Sequence, residues 1–424
     1  MHTRQLHIAA CLLSLCSALS IAAIAVPETR SSTELRAKAQ KLNNDGNFKE
    51  ALDIWQALAQ DPKDEPAWVG NDLQAGVACL QALNRDNESD GFREKVIGTH
   101  SNNWLAAFST AQSYFTSQHY GTIVAGKFER GPNRGGGRYV NSYERDRCRA
   151  LQLMDQARTL GGAVISTPGT GRNITSSFAG FQIEFARMLM GYRGYQESWR
   201  LQYLTDFSKL PDYEEGYWHG DYGYASLPGA PVDTDGNPVF HKVPATWATS
   251  RNDGERWRWM LAQAVALDPE RSNDVLSQYA EFLQQQFDVE TISNYSSYLR
   301  GRDSDEDKPE TGSMYLLHTL GEDETIARLA TGIKRFKLPA DADFIAIYRQ
   351  LNNWYKLGNI FEHRRQYEKA AEAWKKAGQK DRVEQILGNW GQFEPLMTHP
   401  AGKEASVDFR FRNGTKVTFA AHEI

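Results

Sequence analysis

Residues 354–377 read WYKLGNIFEHRRQYEKAAEAWKKA, and this stretch decides the fold. Its apolar and small residues recur at helical spacing in two runs, which a short polar break separates. The eight positions that carry the pattern are Trp354, Leu357, Gly358, Phe361, Tyr367, Ala370, Trp374 and Ala377. The spacing predicts two antiparallel helices that approach closely where their facing residues are small.

This spacing is that of a tetratricopeptide repeat (TPR), with W-x2-L-G-x2-Y in the first helix and an A-x3-F core in the second. We place the unit at residues 351–380. Arg365 stands where the turn glycine usually lies, and no proline closes the unit, so we interpret it as the last unit of its array. An ordinary amphipathic helical hairpin is the alternative interpretation.

A second, degenerate unit is predicted at residues 32–62. Gly46 separates two helical runs there, and glycine permits a tight turn. The positions that carry this pattern are Leu35, Ala39, Leu42, Phe48, Ala51, Trp55 and Leu58. Trp68 begins a further helical run through Leu73, Val77 and Leu80, where the next repeat would start.

Five further helices are predicted from apolar periodicity at residues 145–160, 177–204, 254–267, 273–287 and 313–338. Two regions interrupt them. In residues 120–140, a β-branched run at 122–124 predicts a strand, and the glycine-rich run 131–138 predicts a flexible loop. Residues 211–249 are rich in Gly, Pro and aromatic residues, which indicates a long loop or a small subdomain.

The C-terminal residues alternate between apolar and polar, which predicts a β-hairpin. A three-residue loop at 413–415 would place Phe411 opposite Val417 and Phe409 opposite Phe419. Gly414 would then supply a bulge position with positive φ.

The N-terminus has the layout of a secretory signal peptide. Arg4 precedes an apolar run at 8–26, and Ala23-Ile24-Ala25 is a small-x-small cleavage site. Pro27 and the charged residues after it favour cleavage over a retained anchor. The mature chain would keep Cys79 and Cys148, for which a disulfide and two buried free thiols are both open. We therefore expect an exported protein of the periplasm or cell envelope.

The composition excludes some partners. The formal net charge is −5 and is spread along the chain, so no basic field favours nucleic acid or anionic lipid. A hydrophobic share of 41% can supply proper cores.

Most candidate chemical motifs in the chain are incomplete. Residues 121–127 fit G-x4-G-K, but β-forming residues fill the loop and Phe128 replaces the hydroxyl that would hold magnesium. The acidic runs 233–237 and 303–307 lack the complete spacing of a calcium loop, and no histidine pair or CxxC supports zinc. We expect neither a metal nor a cofactor.

One aromatic and acidic cluster, residues 213–222, is a candidate ligand contact through Glu214, Trp218, His219 and Asp221. Aromatic rings stack on sugars, and two carboxylates of different pKa can cleave a glycosidic bond. Adjacent side chains such as Glu214 and Glu215 do not flank a bond, so a helical-fold glycan hydrolase is the distant alternative.

Several strings resemble the N-terminal helical region of large bacterial alpha-2-macroglobulin-like proteins. They lie at residues 119–128, 134–138, 143–147, 256–259 and 407–414. The resemblance implies that β-sandwich macroglobulin domains follow the helices and that the complete protein traps proteases in the envelope. Neither Cys79 nor Cys148 lies in a Cys-Gly-Glu-Gln thioester motif, so no functional residue carries over.

We therefore predict a mostly α fold of TPR-like stacked helical hairpins, an α-solenoid, with Gly- and aromatic-rich insertions and a short C-terminal β-hairpin. The predicted segments are a signal peptide (1–25), TPR-like helices (26–115), helices with strand and loop insertions (116–250), a helical repeat region (251–388) and the hairpin segment (389–424). The resemblance implies that this last segment is the start of a truncated macroglobulin-type β-domain. The leading hypothesis is a non-catalytic interaction module, the N-terminal part of such an inhibitor whose trapping domains are absent from this sequence. The expected partner is a protein, either a protease or an envelope protein. A freestanding periplasmic scaffold that binds a protein or a cell-wall glycan is the alternative.

Overall fold

A computed structural model describes residues 30–133, 135–191, 194–216, 229–295, 316–395, 402, 406–420 and 422. These residues contain thirteen α-helices and three small sheets, which confirms the mostly α class. Among them, no helix is long and apolar enough to cross a membrane. The predicted signal peptide lies outside the described residues.

The chain divides into two compact units. The first comprises Met1–Leu227 and Phe240–Val275, and the second comprises Pro228–Val239 and Leu276–Ile424.

The first unit begins with five helices: α1 (Arg30–Asn44), α2 (Phe48–Ala59), α3 (Val69–Ala82), α4 (Ser89–Thr99) and α5 (Trp104–Phe115). The predicted helix pair at 32–62 is confirmed as α1 and α2, and the run after Trp68 is confirmed as α3. Gly46 turns between α1 and α2 with φ +78°, a backbone conformation that favours glycine.

A small antiparallel sheet follows, in the order β2-β1-β3-β4. Its strands are β1 (Tyr120–Val124), β2 (Lys127–Arg130), β3 (Arg138–Asn141) and β4 (Glu214–Glu215). The strand at 122–124 is confirmed. It pairs with β2 through a tight turn in which Ala125 and Gly126 both have positive φ, so residues 121–127 form a hairpin rather than a phosphate-binding loop.

The remaining helices that begin in the first unit are α6 (Tyr143–Ile165), α7 (Arg172–Met190), α8 (Asp253–Leu267) and α9 (Ser272–Phe287). The prediction of one helix over 177–204 is wrong at its C-terminal end. Helix α7 stops at Met190 because Gly191 adopts φ +97°, and a 3-10 segment follows at Gly194–Gln202.

In the second unit, the predicted helix at 313–338 is wrong within the described residues. Strands β5 (Glu324–Leu329) and β6 (Gly332–Lys337) form a two-stranded antiparallel sheet there. Gly332 has φ +121°, and Ala230 adds an isolated parallel bridge to Leu329. This bridge joins residues that are far apart in the sequence.

Four helices follow: α10 (Phe344–Gln350), α11 (Trp354–His363), α12 (Tyr367–Lys376) and α13 (Lys380–Leu387). The helix pair predicted at 354–377 is confirmed as α11 and α12. Of its eight pattern positions, five are buried: Leu357, Gly358, Phe361, Ala370 and Trp374. Arg365 makes the turn with φ +56°.

A C-terminal hairpin is confirmed, but one of its two strands is not the one predicted. Strand β8 (Phe409–Arg412) pairs with β7 (Trp390–Phe393), and residues 413–420 contain no strand. The rings of Phe409 and Phe419 nevertheless lie 5.0 Å apart. The two phenylalanines therefore meet through their side chains and not through strand pairing.

Candidate functional site

A cavity of about 550 Å³ opens in the first unit between the start of α6 and residues 199–214. It is lined by Glu144, Arg147, Cys148, Trp199, Arg200, Tyr203, Thr205, Asp206, Lys209, Pro211 and Glu214. Its volume falls in the range of ~300–1,000 Å³ that is usual for small-molecule sites.

A buried ion network fixes the start of α6. This helix supplies Glu144, Arg147 and Cys148 to the cavity lining. Asp146 accepts hydrogen bonds from both terminal nitrogens of Arg130, at 2.7 and 2.8 Å, and lies 2.9 Å from His119 Nδ1. Burial acts to raise the pKa of Asp146, but Arg130 and His119 outweigh it and lower that pKa to about 2. Asp146 is therefore an ionised structural anchor at neutral pH.

Arg147 lies next to this anchor and is buried at the cavity floor. Its Nη2 donates to the Leu189 carbonyl at 3.2 Å and lies 3.8 Å from Asp253. Its Nη1 reaches Thr205 Oγ1 only at 3.5 Å, the limit of a hydrogen bond, and its Nε has no acceptor among the described residues. The guanidinium is thus held in place without using all of its donors.

Arg200 is the second buried guanidinium of the floor. It forms an ion pair with Glu144, and it stacks over the rings of Trp199 at 4.7 Å and Tyr143 at 5.5 Å. Cation–π contacts of this kind are stronger where water is excluded. Arg200 therefore holds Trp199 in position at the cavity wall.

Cys148 presents a thiol to the cavity, and its Sγ donates to the carbonyls of Lys209 at 3.4 Å and Asp206 at 3.7 Å. Burial raises the pKa of this thiol, which keeps it neutral. Cys79 is also buried, and its thiol donates to Asn43 Oδ1 at 3.1 Å. Both cysteines are free thiols in this structure.

The cavity rim is aromatic and charged. Trp199 is 41% exposed and Tyr203 is 64% exposed, and their rings meet edge to face at 6.0 Å. Lys209 and Asp206 form a solvated pair at 3.7 Å beside them. Glu214 completes the rim from β4, where its backbone pairs with Asn141.

Of the ligand contacts predicted from sequence, the structure places Glu214 on this cavity, whereas Trp218, His219 and Asp221 lie outside the described residues. The sequence patterns do not indicate Arg147, Arg200 or Trp199 as ligand contacts. The signal that could have found Arg147 is its position on α6, where polar residues interrupt the buried face of the helix.

The acidic run 233–237 is a local turn. Asp233 Oδ1 accepts hydrogen bonds from the backbone N–H groups of Asp235 at 2.9 Å and Asn237 at 2.8 Å. The run 303–307 lies outside the described residues.

In the described part of the second unit, one set of three potential metal ligands lies close together. Asp288, Glu290 and His363 each offer an atom within 4.8 Å of the others. Asp288 is buried, which raises its pKa, and the positive charge of Arg364 acts on it in the opposite direction. The positive charge of Arg364 also acts against a bound metal cation, so these residues do not by themselves define a metal site.

The hairpin β7–β8 carries a second candidate surface, which we name the aromatic face. Its members are more than half exposed: Phe393 53%, Phe411 53% and Phe419 58%. Phe393 and Phe419 have rings 5.8 Å apart, so these two side chains form one contiguous apolar contact.

No protein-family model matches this chain, and no curated protein matches it.

Proposed function

We propose that this chain is a non-catalytic protein-binding module of the cell envelope, and that it forms the N-terminal helical part of an alpha-2-macroglobulin-like protease inhibitor. The observation that carries the proposal is the aromatic face on the hairpin that follows the helix pair. An apolar surface of this kind is unfavourable in water and marks a place where another surface packs. The proposed partner surface is a macroglobulin-type β-domain.

The energetics of the hairpin support this proposal. A two-stranded sheet is marginally stable alone and gains stability when its apolar side is covered. Phe409 lies against Phe393 at 5.1 Å, while Phe411 is left half exposed. A β-domain packed here would bury the remaining aromatic surface.

The helix pairs support an interaction module more generally. Each pair buries one face against its partner, as TPR units do, and a stack of such pairs would present a groove to a protein ligand. The proposed stacked arrangement rests on the spacing of residues 32–62 and 354–377.

Two potentially reactive side chains of the cavity, Glu144 and Cys148, are engaged in structural contacts. Glu144 is engaged by Arg200, and the Cys148 thiol is neutral and donates to backbone carbonyls. A general base needs a free carboxylate or imidazole within reach of the substrate, and a nucleophilic cysteine needs a thiolate. Neither group is poised in this way.

The proposal is tested first by the size of the natural polypeptide. An antibody raised against residues 30–295 should detect an envelope protein much longer than 424 residues, and its tryptic peptides should include predicted β-domains. Detection of only the 424-residue chain or a shorter form would contradict the inhibitor assignment.

A photo-crosslinking amino acid at position 411 tests the aromatic face. Cross-links are expected to a β-rich segment of the same polypeptide. The matched control is position 139, an equally exposed tyrosine in the first unit, which should give no such product. Equal yields at both positions would show that the aromatic face is not an interface.

A freestanding envelope protein that binds a cell-wall glycan is the second candidate. The aromatic rim at Trp199 and Tyr203 favours it, because sugar rings present C–H faces that pack on aromatic side chains.

A further inference from the structure

We infer that Asn413 is a site of spontaneous deamidation, and that this reaction releases the hairpin β7–β8 from helix α13. The inference goes beyond the protein-binding role, and it does not depend on which surface covers the aromatic face.

The end of strand β8 caps the C-terminus of α13. Asn413 Nδ2 donates to the carbonyl of Ile386 at 2.7 Å and to that of Gly388 at 3.0 Å. Beside it, Arg412 donates to the carbonyl of Gln385. The last carbonyls of a helix have no donor within the helix, so groups from outside satisfy them. These three hydrogen bonds, which we name the latch, fasten the hairpin to α13.

The residue after Asn413 makes this side chain reactive. Asn413 and Gly414 form the single Asn-Gly pair of the sequence. In such a pair the glycine nitrogen can attack the side-chain carbonyl carbon of the asparagine, because glycine has no side chain to obstruct the approach. Asn413 is exposed with φ +61°, and the Gly414 N–H has no backbone acceptor in the part of the chain that the structure describes. Neither deep burial nor a backbone hydrogen bond therefore protects the attacking nitrogen.

The reaction balances with water as its only co-reactant. The Gly414 nitrogen forms a bond to Asn413 Cγ and gives up its proton, and the side-chain nitrogen leaves as ammonia. Water then adds to either carbonyl carbon of the resulting cyclic imide and breaks the bond from that carbon to nitrogen, which takes up a proton. The product is an aspartate or an isoaspartate with a free carboxylate, and no group is oxidised or reduced.

The carboxylate cannot form the latch again. The amide of Asn413 donates to two carbonyls, whereas an ionised carboxylate only accepts hydrogen bonds. It also brings a negative charge to the negative end of the α13 dipole. The latch restrains the Asn413 side chain, so we expect the reaction to follow opening of the latch and to make that opening permanent.

The reaction is tested by incubating the full chain and the variant Gly414→Ala at mildly alkaline pH, which favours loss of the peptide proton. Mass spectrometry then follows the peptide of residues 405–423 that cleavage after glutamate gives. Alanine hinders the attack but fits the turn, because its Cβ would lie 3.8 Å from the Phe411 ring and Gly414 does not have positive φ. We expect the carboxylate product in the natural chain and its loss in Gly414→Ala. Absence of product from the natural chain, or equal yields in both chains, would overturn the inference.

The release is tested with Asn413→Asp, which carries the charge of the product. Hydrogen exchange of the β7 and β8 amides should be about tenfold faster in this variant, since two hydrogen bonds of ordinary net strength are lost. Exchange in residues 354–377 should stay the same, which shows that the helix pair remains folded. Unchanged exchange in β7 and β8 would overturn the release. If exchange rises in both regions, the variant has unfolded, and the same measurement on the natural chain before and after incubation decides instead.

Discussion

The helix pair α1–α2 and the helix pair α11–α12 place a tryptophan at the same distance from their turns. Trp55 lies nine residues after Gly46, and Trp374 lies nine residues after Arg365. The turn residues differ, however. The first pair uses glycine at φ +78°, and the second holds an arginine at φ +56°. A left-handed backbone disfavours residues with a Cβ, so the second turn is held by its surroundings rather than by its own preference.

The residue seven positions before each turn shows the opposite choice. It is Ala39 in the first pair and Gly358 in the second. A Cβ on Gly358 would lie 2.6 Å from the Trp374 indole, so this contact tolerates no side chain. Ala39 is buried in the same core cluster as Trp55 and carries its methyl group without difficulty. In the second pair, glycine therefore permits close contact between the helices, whereas in the first pair it permits the turn.

The largest expected difference lies at the tryptophans. Trp374 is buried, and its Nε1 donates to Glu362 at 2.8 Å, whereas the buried Nε1 of Trp55 has no partner among the described residues. Trp374→Ala should lower the free energy of unfolding by about 3–5 kcal/mol, the usual range for this change. Trp55→Ala should cost ~1 kcal/mol less, because no hydrogen bond is lost.

Urea unfolding can be monitored by hydrogen exchange in peptides from residues 32–62 and 354–377. This measures the loss of unfolding free energy in each helix pair separately. Phenylalanine at each position is the matched control, since it removes the N–H and keeps most of the packing. A larger loss for Trp55→Phe than for Trp374→Phe would contradict the assigned roles.

An intermediate effect is expected from pH, because Arg36 on α1 shares a buried ion cluster with Asp72 on α3 and with Asp64 in the segment before α3. Arg36 donates to Asp72 at 2.7 Å and to Asp64 at 2.5 Å, so one guanidinium serves two carboxylates. Burial raises the pKa of Asp72 to about 6, against the lowering effect of Arg36. The folded state then holds a proton that the unfolded state releases above about pH 4, and folding stability falls as pH rises from about 4 to about 6.

Unfolding free energies at pH 4 and pH 6.5 should therefore differ by about 1–3 kcal/mol through this group. Asp72→Asn mimics the protonated carboxyl. It should therefore remove this group's contribution to the slope of the unfolding free energy against pH. If the variant and the natural chain show the same slope, Asp72 does not hold the proton.

The two helix pairs could be predicted from sequence because each is local. Their burial pattern, turn and partner helix all lie within about 30 residues. The sheet β5–β6 could not be predicted from the sequence. Ile326, Leu329, Ile333 and Phe336 recur at three- and four-residue spacing, which fits a helix as well as two strands. The bridge from Leu329 to Ala230, which lies in a distant part of the sequence, has no local signal.

The cavity illustrates the same limit. An aromatic and acidic run predicts Glu214, but its neighbours on the lining come from α6 and from residues 199–211. Arg147 and Arg200 look like ordinary charged residues in the sequence, because their burial depends on packing between segments about 50 residues apart. The sequence likewise predicts strand β8 but not its partner β7, because the nearer alternating run at 417–419 offers a local alternative.

The smallest expected effect is at the turns, where the glycine and the arginine of the two helix pairs can be exchanged. Arg365→Gly should stabilise the second pair by about 0.5–1 kcal/mol, because relief of the left-handed strain exceeds the added entropy of the unfolded chain. Gly46→Arg should destabilise the first pair by about 1 kcal/mol for the same reason. Both positions are exposed, and a Cβ at Gly46 would meet no atom within 4 Å, so backbone conformation alone is changed. Urea unfolding measures both, with Gly46→Asn as the control that tolerates positive φ. A loss of stability in Arg365→Gly would show that the arginine side chain, and not its surroundings, holds the second turn.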